Sequence, residues 1–194
     1  MANFDQAVEK TLKWEGGKTT DTGGFTNFGI SQKAYPGLDI GNLTRDGAKA
    51  IYRRDYWEPL GLDNVADQAS AAALFDFAVN AGLGRARTEA QAALKAAGIA
   101  ADKGAALVAA VNSMGARFAS ELTNRRLEFY RALAAKNPSK YGVYLAGWEK
   151  RAKSFFSGAA GMAQAAVSNK LTWAILAAAV LAGGYWYYQK KTRA

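Results

Sequence analysis

Between Lys170 and Lys190 the chain carries no charged residue. This run, Leu171 to Gln189, is mostly Ala, Leu, Ile and Val, with Trp173 near one end and Tyr185, Trp186, Tyr187 and Tyr188 at the other. At 1.5 Å per residue a helix of this length reaches about 28 Å, close to the hydrocarbon thickness of a bilayer. Aromatic belts closed by Lys170 on one side and by Lys190, Lys191 and Arg193 on the other are interface chemistry. A buried core helix is the alternative, but four successive aromatics before a basic tail do not suit one. The sequence therefore predicts one C-terminal transmembrane helix over 171–189 with a basic tail, 190–194. Residues 154–170 are small, weakly apolar and uncharged up to Lys170, which suits a linker. The opening Met-Ala-Asn-Phe-Asp-Gln has neither a basic n-region nor an apolar h-region, so no secretory signal is expected.

The remainder, 1–153, is expected to fold as one mainly helical domain. Phe4, Ala7, Val8, Thr11 and Leu12 keep helical spacing after Asn3, a suitable N-cap, and Gly16-Gly17 ends that helix near Glu15. Residues 16–30, rich in Gly and Thr, suit a loop or small β-hairpin. Thr44 caps a helix carrying Ala48, Ile51, Tyr52 and Tyr56. Further helices are expected over about 66–81, 86–97 and 102–113. A longer one carries Phe118, Leu122, Phe129 and Leu133 and stops before Pro138, and a last one covers about 139–153. Trp57, Phe75, Phe77, Phe129 and Tyr130 lie at helical spacings and are assigned to the core.

Chemistry is constrained by what is missing. The 194 residues include no Cys and no His. That excludes disulfides, Ser-His-Asp and Cys-His nucleophile systems, and zinc held by His or Cys. Hydrolysis, if any, rests on carboxylates, hydroxyls, Lys or backbone dipoles, and neither a metal nor an organic cofactor is implied. The net charge of +9 is uneven: residues 1–100 hold 11 basic and 12 acidic groups, residues 101–194 hold 14 and 4. A basic half suits nucleic acid, an anionic membrane, an anionic wall polymer, or simply a solvated face. Seven of the cations lie between Lys150 and Arg193, beside or beyond the last soluble helix, so no nucleic-acid partner is expected.

One group of residues fits a reaction. Glu15 closes an apolar helix beside Trp14, Asp21 follows on a Gly-rich turn, and Thr26 comes next. A glycosidase needs one carboxylic acid to protonate the leaving oxygen and a second group to activate water or stabilise the cationic centre. Desolvation near Trp14 would favour a protonated Glu15, while Asp21 would stay ionised and Thr26 would hold a water. Surface carboxylates near glycines are the plain alternative.

The motifs narrow this further. Trp14-Glu15-Gly16-Gly17 followed by Asp21-Thr22-Gly23-Gly24-Phe25-Thr26-Asn27-Phe28-Gly29-Ile30-Ser31 resembles glycoside hydrolase family 108, lysozyme-like N-acetylmuramidases common in phages and prophages. Ile51-Tyr52-Arg53-Arg54-Asp55-Tyr56-Trp57, Phe75-Asp76-Phe77-Ala78-Val79-Asn80-Ala81-Gly82 and Gly147-Trp148-Glu149-Lys150-Arg151 are similar to later motifs of that family, in order. The resemblance implies a lysozyme-like helical fold and Glu15 as catalytic acid. It sets Asp21 and Thr26 where related phage lysozymes have a second carboxylate and a water-holding Thr. Asn27, Tyr56 and Asn80 are expected to bind substrate, Asn80 having the alternative role of capping a helix before Gly82. Trp148 and Arg151 are expected to pack the closing helix, and Lys18 and Arg53 to be exposed. The spacer between Glu15 and Asp21 is shorter than the family's. Asp102-Lys103-Gly104-Ala105-Ala106 is at best a remnant of its Asp-Gly-x-x-Gly.

The implied activity is hydrolysis of the β-1,4 MurNAc–GlcNAc bond of peptidoglycan. The implied setting is a phage-encoded protein anchored in a virion membrane or host inner membrane, the domain acting on periplasmic peptidoglycan, with other virion or membrane proteins as further partners. A lytic transglycosylase, and a structural virion-membrane or genome-ejection protein with an inactive domain, are the alternatives.

Overall fold

Asn3 starts the fold by accepting the Gln6 amide at 2.9 Å, which satisfies one of the donors a helix leaves open at its N-terminus. The computed structural model describes residues 1–21 and 24–156. Helix α1, Phe4–Glu15, buries Ala7, Val8, Thr11 and Leu12 and ends where Gly16 takes φ +70°. Three short antiparallel strands follow in the order β1 (Thr19–Asp21), β2 (Gly24–Asn27) and β3 (Ile30–Ser31). The expected hairpin is thus a three-stranded sheet. Its second turn is Phe28-Gly29, with φ +51° and +77°. Two successive positive φ values make a type I′ turn, whose twist suits a two-residue hairpin.

Helix α2, Arg45–Tyr52, starts on Thr44, whose hydroxyl accepts the Gly47 amide at 3.1 Å. It widens into a single π turn over Arg53–Trp57. Helix α3, Gln68–Ala81, starts on Asp67 and has every residue from Ser70 to Ala78 buried. A helix enclosed on all sides forms the centre of a domain, and the others pack round it. Around it lie α4 (Leu83–Ala96), α5 (Ala105–Met114), α6 (Arg117–Lys136) and α7 (Pro138–Lys153).

The helices occur where expected, with two displaced starts. Gly82, at φ +86°, turns the chain at once, so α4 begins at Leu83. Gly104, at φ +64°, lies outside the helical region, so α5 begins after it and not at residue 102. Trp57, Phe75, Phe77 and Tyr130 are core residues, whereas Phe129 is half-buried. The rings of Phe4, Trp57 and Phe75 meet edge to face at centroid distances of 5.4–5.9 Å, tying α1 to the π turn and to α3. Phe155, past the expected domain end at 153, packs into the core, with Lys10 Nζ 4.3 Å from its ring centroid. Among the described residues no helix is long and apolar enough to cross a membrane. The transmembrane helix expected over 171–189, the basic tail and most of the linker lie outside the described residues.

Candidate active site

Glu15 is the last residue of α1, and Gly16 directs the chain away behind it. Its side chain is 16% exposed, enough to meet a ligand and too little to be freely solvated. One oxygen, Oε1, accepts from Arg151 Nη2 at 2.6 Å. The other, Oε2, faces the turn between β2 and β3. A Cβ placed on Gly29 would lie 2.5 Å from Oε2 and 2.7 Å from the Tyr52 hydroxyl. Only glycine fits there, and only glycine adopts φ +77° without cost. Tyr52, from the end of α2, donates to the Phe28 carbonyl at 2.7 Å and so pins the turn against the carboxylate. Phe28 is the one non-glycine residue at positive φ among the described residues, a strained backbone placed next to the candidate acid.

The π turn brings Tyr56 beneath Tyr52, with ring centroids 5.9 Å apart. Burial first, and then the charge on Glu15, push the Tyr52 phenol well above its ordinary value. Tyr56 is raised by burial, then by Asp55 and Glu15. Both hydroxyls therefore stay protonated near the site and can donate hydrogen bonds.

Behind Glu15 lies a set of buried charges. Arg151 has its Nε 3.0 Å and its Nη2 2.8 Å from the Asp76 carboxylate. Asp76 is fully buried on α3 and also pairs with Arg126 Nη1 at 2.7 Å. Arg126 Nε donates to the Tyr130 hydroxyl at 2.7 Å, and that hydroxyl donates to Asn80 Oδ1. Burial alone would make Arg151 easier to deprotonate, but Asp76 and Glu15 more than offset this and hold it charged.

The remaining sequence-derived candidates divide into two groups. Thr26 lies in β2 in register with Thr19 on one side and Ser31 on the other, giving a row of three hydroxyl residues on one face of the sheet. Asp21 ends β1 opposite Gly24. Asn27 lies on the opposite face from Thr26, is 2% exposed, and gives its amide nitrogen to the carbonyls of Ile40 and Leu43, each at 3.2 Å. It braces the sheet against the loop that follows. Asn80 accepts from the Tyr130 hydroxyl through Oδ1, and the helix end at Gly82 is closed by backbone, Gly82 N donating to Ala78 O at 2.8 Å. Lys18 donates to Gly41 O at 2.8 Å, and Arg53 pairs with Asp63 at 2.9 Å and Glu58 at 3.3 Å.

Arg151, Asp76, Tyr52 and Gly29 were not read from sequence as site residues. Asp76 carried a signal: a lone carboxylate inside Leu74-Phe75-Asp76-Phe77-Ala78 must meet a cation once buried. Among the described residues no cluster of three acidic groups could hold a metal ion.

No curated protein matches the chain. Among solved structures it is similar to SagA of Brucella abortus, with 28% identity and a TM-score of 0.59 over 81% of this chain and 97% of that one. The family model described as Glycosyl hydrolase 108 matches residues 8–82, which include Glu15, the sheet with its turn, Tyr52, Tyr56 and Asp76. Residues 8–82 are thus similar to the glycosyl hydrolase 108 family model.

Proposed function

We propose that the protein is a peptidoglycan muramidase, cleaving the β-1,4 bond between N-acetylmuramic acid and N-acetylglucosamine by general-acid catalysis. Glu15 gives its proton to the glycosidic oxygen. The observation that carries the reading is the difference between its two oxygens: Oε1 is held by Arg151, while Oε2 lies against Gly29 in the β2–β3 turn. With Oε1 accepting from a guanidinium, Oε2 is the oxygen left to deliver the proton. Asp21 and Thr26, on β1 and β2, orient the attacking water or stabilise the cationic centre on the opposite face of the sugar. Tyr56 supplies a donor on that side, while the Tyr52 hydroxyl stays committed to the Phe28 carbonyl. The run 171–189 anchors the enzyme in a bilayer, and the enzyme acts as a phage product in host-wall penetration or lysis.

The full chain, purified in mild detergent, is expected to clear a peptidoglycan suspension. Glu15→Gln keeps the shape and removes the transferable proton. Its rate should fall by at least about 100-fold, the lower end of what a general acid contributes. Product masses must show the addition of one water and a reducing end. An anhydro-sugar product would instead identify intramolecular transfer, with Glu15 serving as acid and then as base. A wild-type chain inert on several wall chemistries would overturn the enzymatic reading.

A further inference from the structure

Asp76 takes no part in the chemistry described above, yet it is the most enclosed charge near it. It is 0% exposed and cannot touch a saccharide. Both its oxygens are engaged by cations: Arg151 through Nε and Nη2, and Arg126 through Nη1. Arg151 is thus gripped at two points by Asp76, and its Nη2, 2.8 Å from Asp76, also reaches 2.6 Å to Glu15 Oε1. The two-point grip fixes the guanidinium plane. That plane in turn fixes where Oε1 lies and leaves Oε2 toward the β2–β3 turn.

The same contacts decide the charge balance. A guanidinium alone beside a carboxylate favours the ionised form, which is the wrong form for an acid. Asp76 opposes that effect by sharing Arg151. Arg126 draws on Asp76 from the other side. We propose that Asp76 is a positioning residue for Glu15, acting through Arg151, and that Arg126 sets how much of the Asp76 charge is left for Arg151. The proposal rests on Glu15 being the general acid.

The other groups facing this cluster do not replace these charges. Tyr52 from α2 and Tyr56 from the π turn face Glu15, and Tyr130 from α6 faces Arg126. All three are pushed up, first by burial, and stay neutral. Lys10, on α1, faces Asp76 and Lys13; burial lowers it first, while Asp76 supports its charge. Asp55, beyond Tyr56, is held low chiefly by Arg54, its own ion-pair partner.

The test is the pH profile of wall clearing by the full chain in detergent, measured at sub-saturating wall so that initial rates track kcat/KM. Asp76→Asn removes a negative charge, so the alkaline limb should move down by about one pH unit, with an about tenfold lower rate at neutral pH. Arg126→Gln removes a positive charge and should move the same limb up, while Arg126→Lys restores the wild-type limb. Arg126→Gln leaves the Asp76–Arg151 pair intact, so it carries the test even where Asp76→Asn fails to fold. Lower rates at every pH with the limb unmoved would show Asp76 to be merely structural and would overturn the proposal. Wild-type clearing by Glu15→Gln would overturn the reading of Glu15 itself, an outcome separable from the first because it needs neither of the other variants.

Discussion

Two glycines show how differently one residue type can be constrained. Gly29 has φ +77° and a would-be Cβ 2.5 Å from Glu15 Oε2. Gly142, inside α7, has nothing within 4 Å of a would-be Cβ and no positive φ. Gly29→Ala combines backbone strain of about 1–3 kcal/mol with displacement of the carboxylate. We expect its melting temperature to fall by at least about 2–4 °C and its wall-clearing rate by about 100-fold, as an ångström of misplacement does to a reacting group. Gly142→Ala should instead raise the melting temperature slightly, through a gain of about 0.5–1 kcal/mol, and leave the rate unchanged. Thermal unfolding and clearing assays on the pair check both statements. Glu15 was legible because Gly16-Gly17 marks the helix end that presents it. The glycine after Phe28 was visible in the sequence, but not its contact with Glu15, because that contact depends on how the sheet folds back on α1.

At the scale of elements, local signals set most boundaries. Asn3, Thr44, Gly16-Gly17 and Pro138 mark ends that the structure keeps, since capping and positive-φ demands act within a few residues. The third strand and the π turn were not legible. A two-residue strand has no pattern of its own, and the extra width at Arg53–Trp57 arises from packing Trp57 between Phe4 and Phe75. The joint between α1 and α2 has a pH dependence of its own. Glu9 pairs with Arg45 and lies 2.8 Å from Lys49 Nζ. The hydrogen bonds from Arg45 and then Lys49 lower its pKa from 4.5 to about 2. A lowered carboxylate stabilises the fold above its unfolded value, and this contribution is lost as the pH falls from about 4.5 through about 2. Glu9→Gln should therefore unfold earlier than wild type at pH 6 and together with it near pH 2. The pair is exposed, so the difference at pH 6 should be at most about 2–4 °C and should shrink in high salt.

For the whole molecule, the proposed anchor is the feature with the largest consequence for where the protein would act. Washed membranes from cells making the full chain should retain it through alkaline carbonate extraction. A double variant, Ile175→Lys with Leu181→Lys, adds a cost of about 2.5–3.5 kcal/mol per lysine near the bilayer centre and should release it. Clearing activity per mole should be the same in both, because neither position belongs to the domain. The helical class was legible from periodicity, and the family resemblance from motifs within 8–82. What local pattern could not supply was the pairing of Glu15 with Arg151, which lie 136 positions apart. The candidate acid belongs to the first helix and its clamp to the last one described. Closing so long a loop costs entropy that only the assembled core repays. A chain still being synthesised, or one cut anywhere before residue 151, therefore holds Glu15 without its clamp, and the proposed acid is complete only when the domain is.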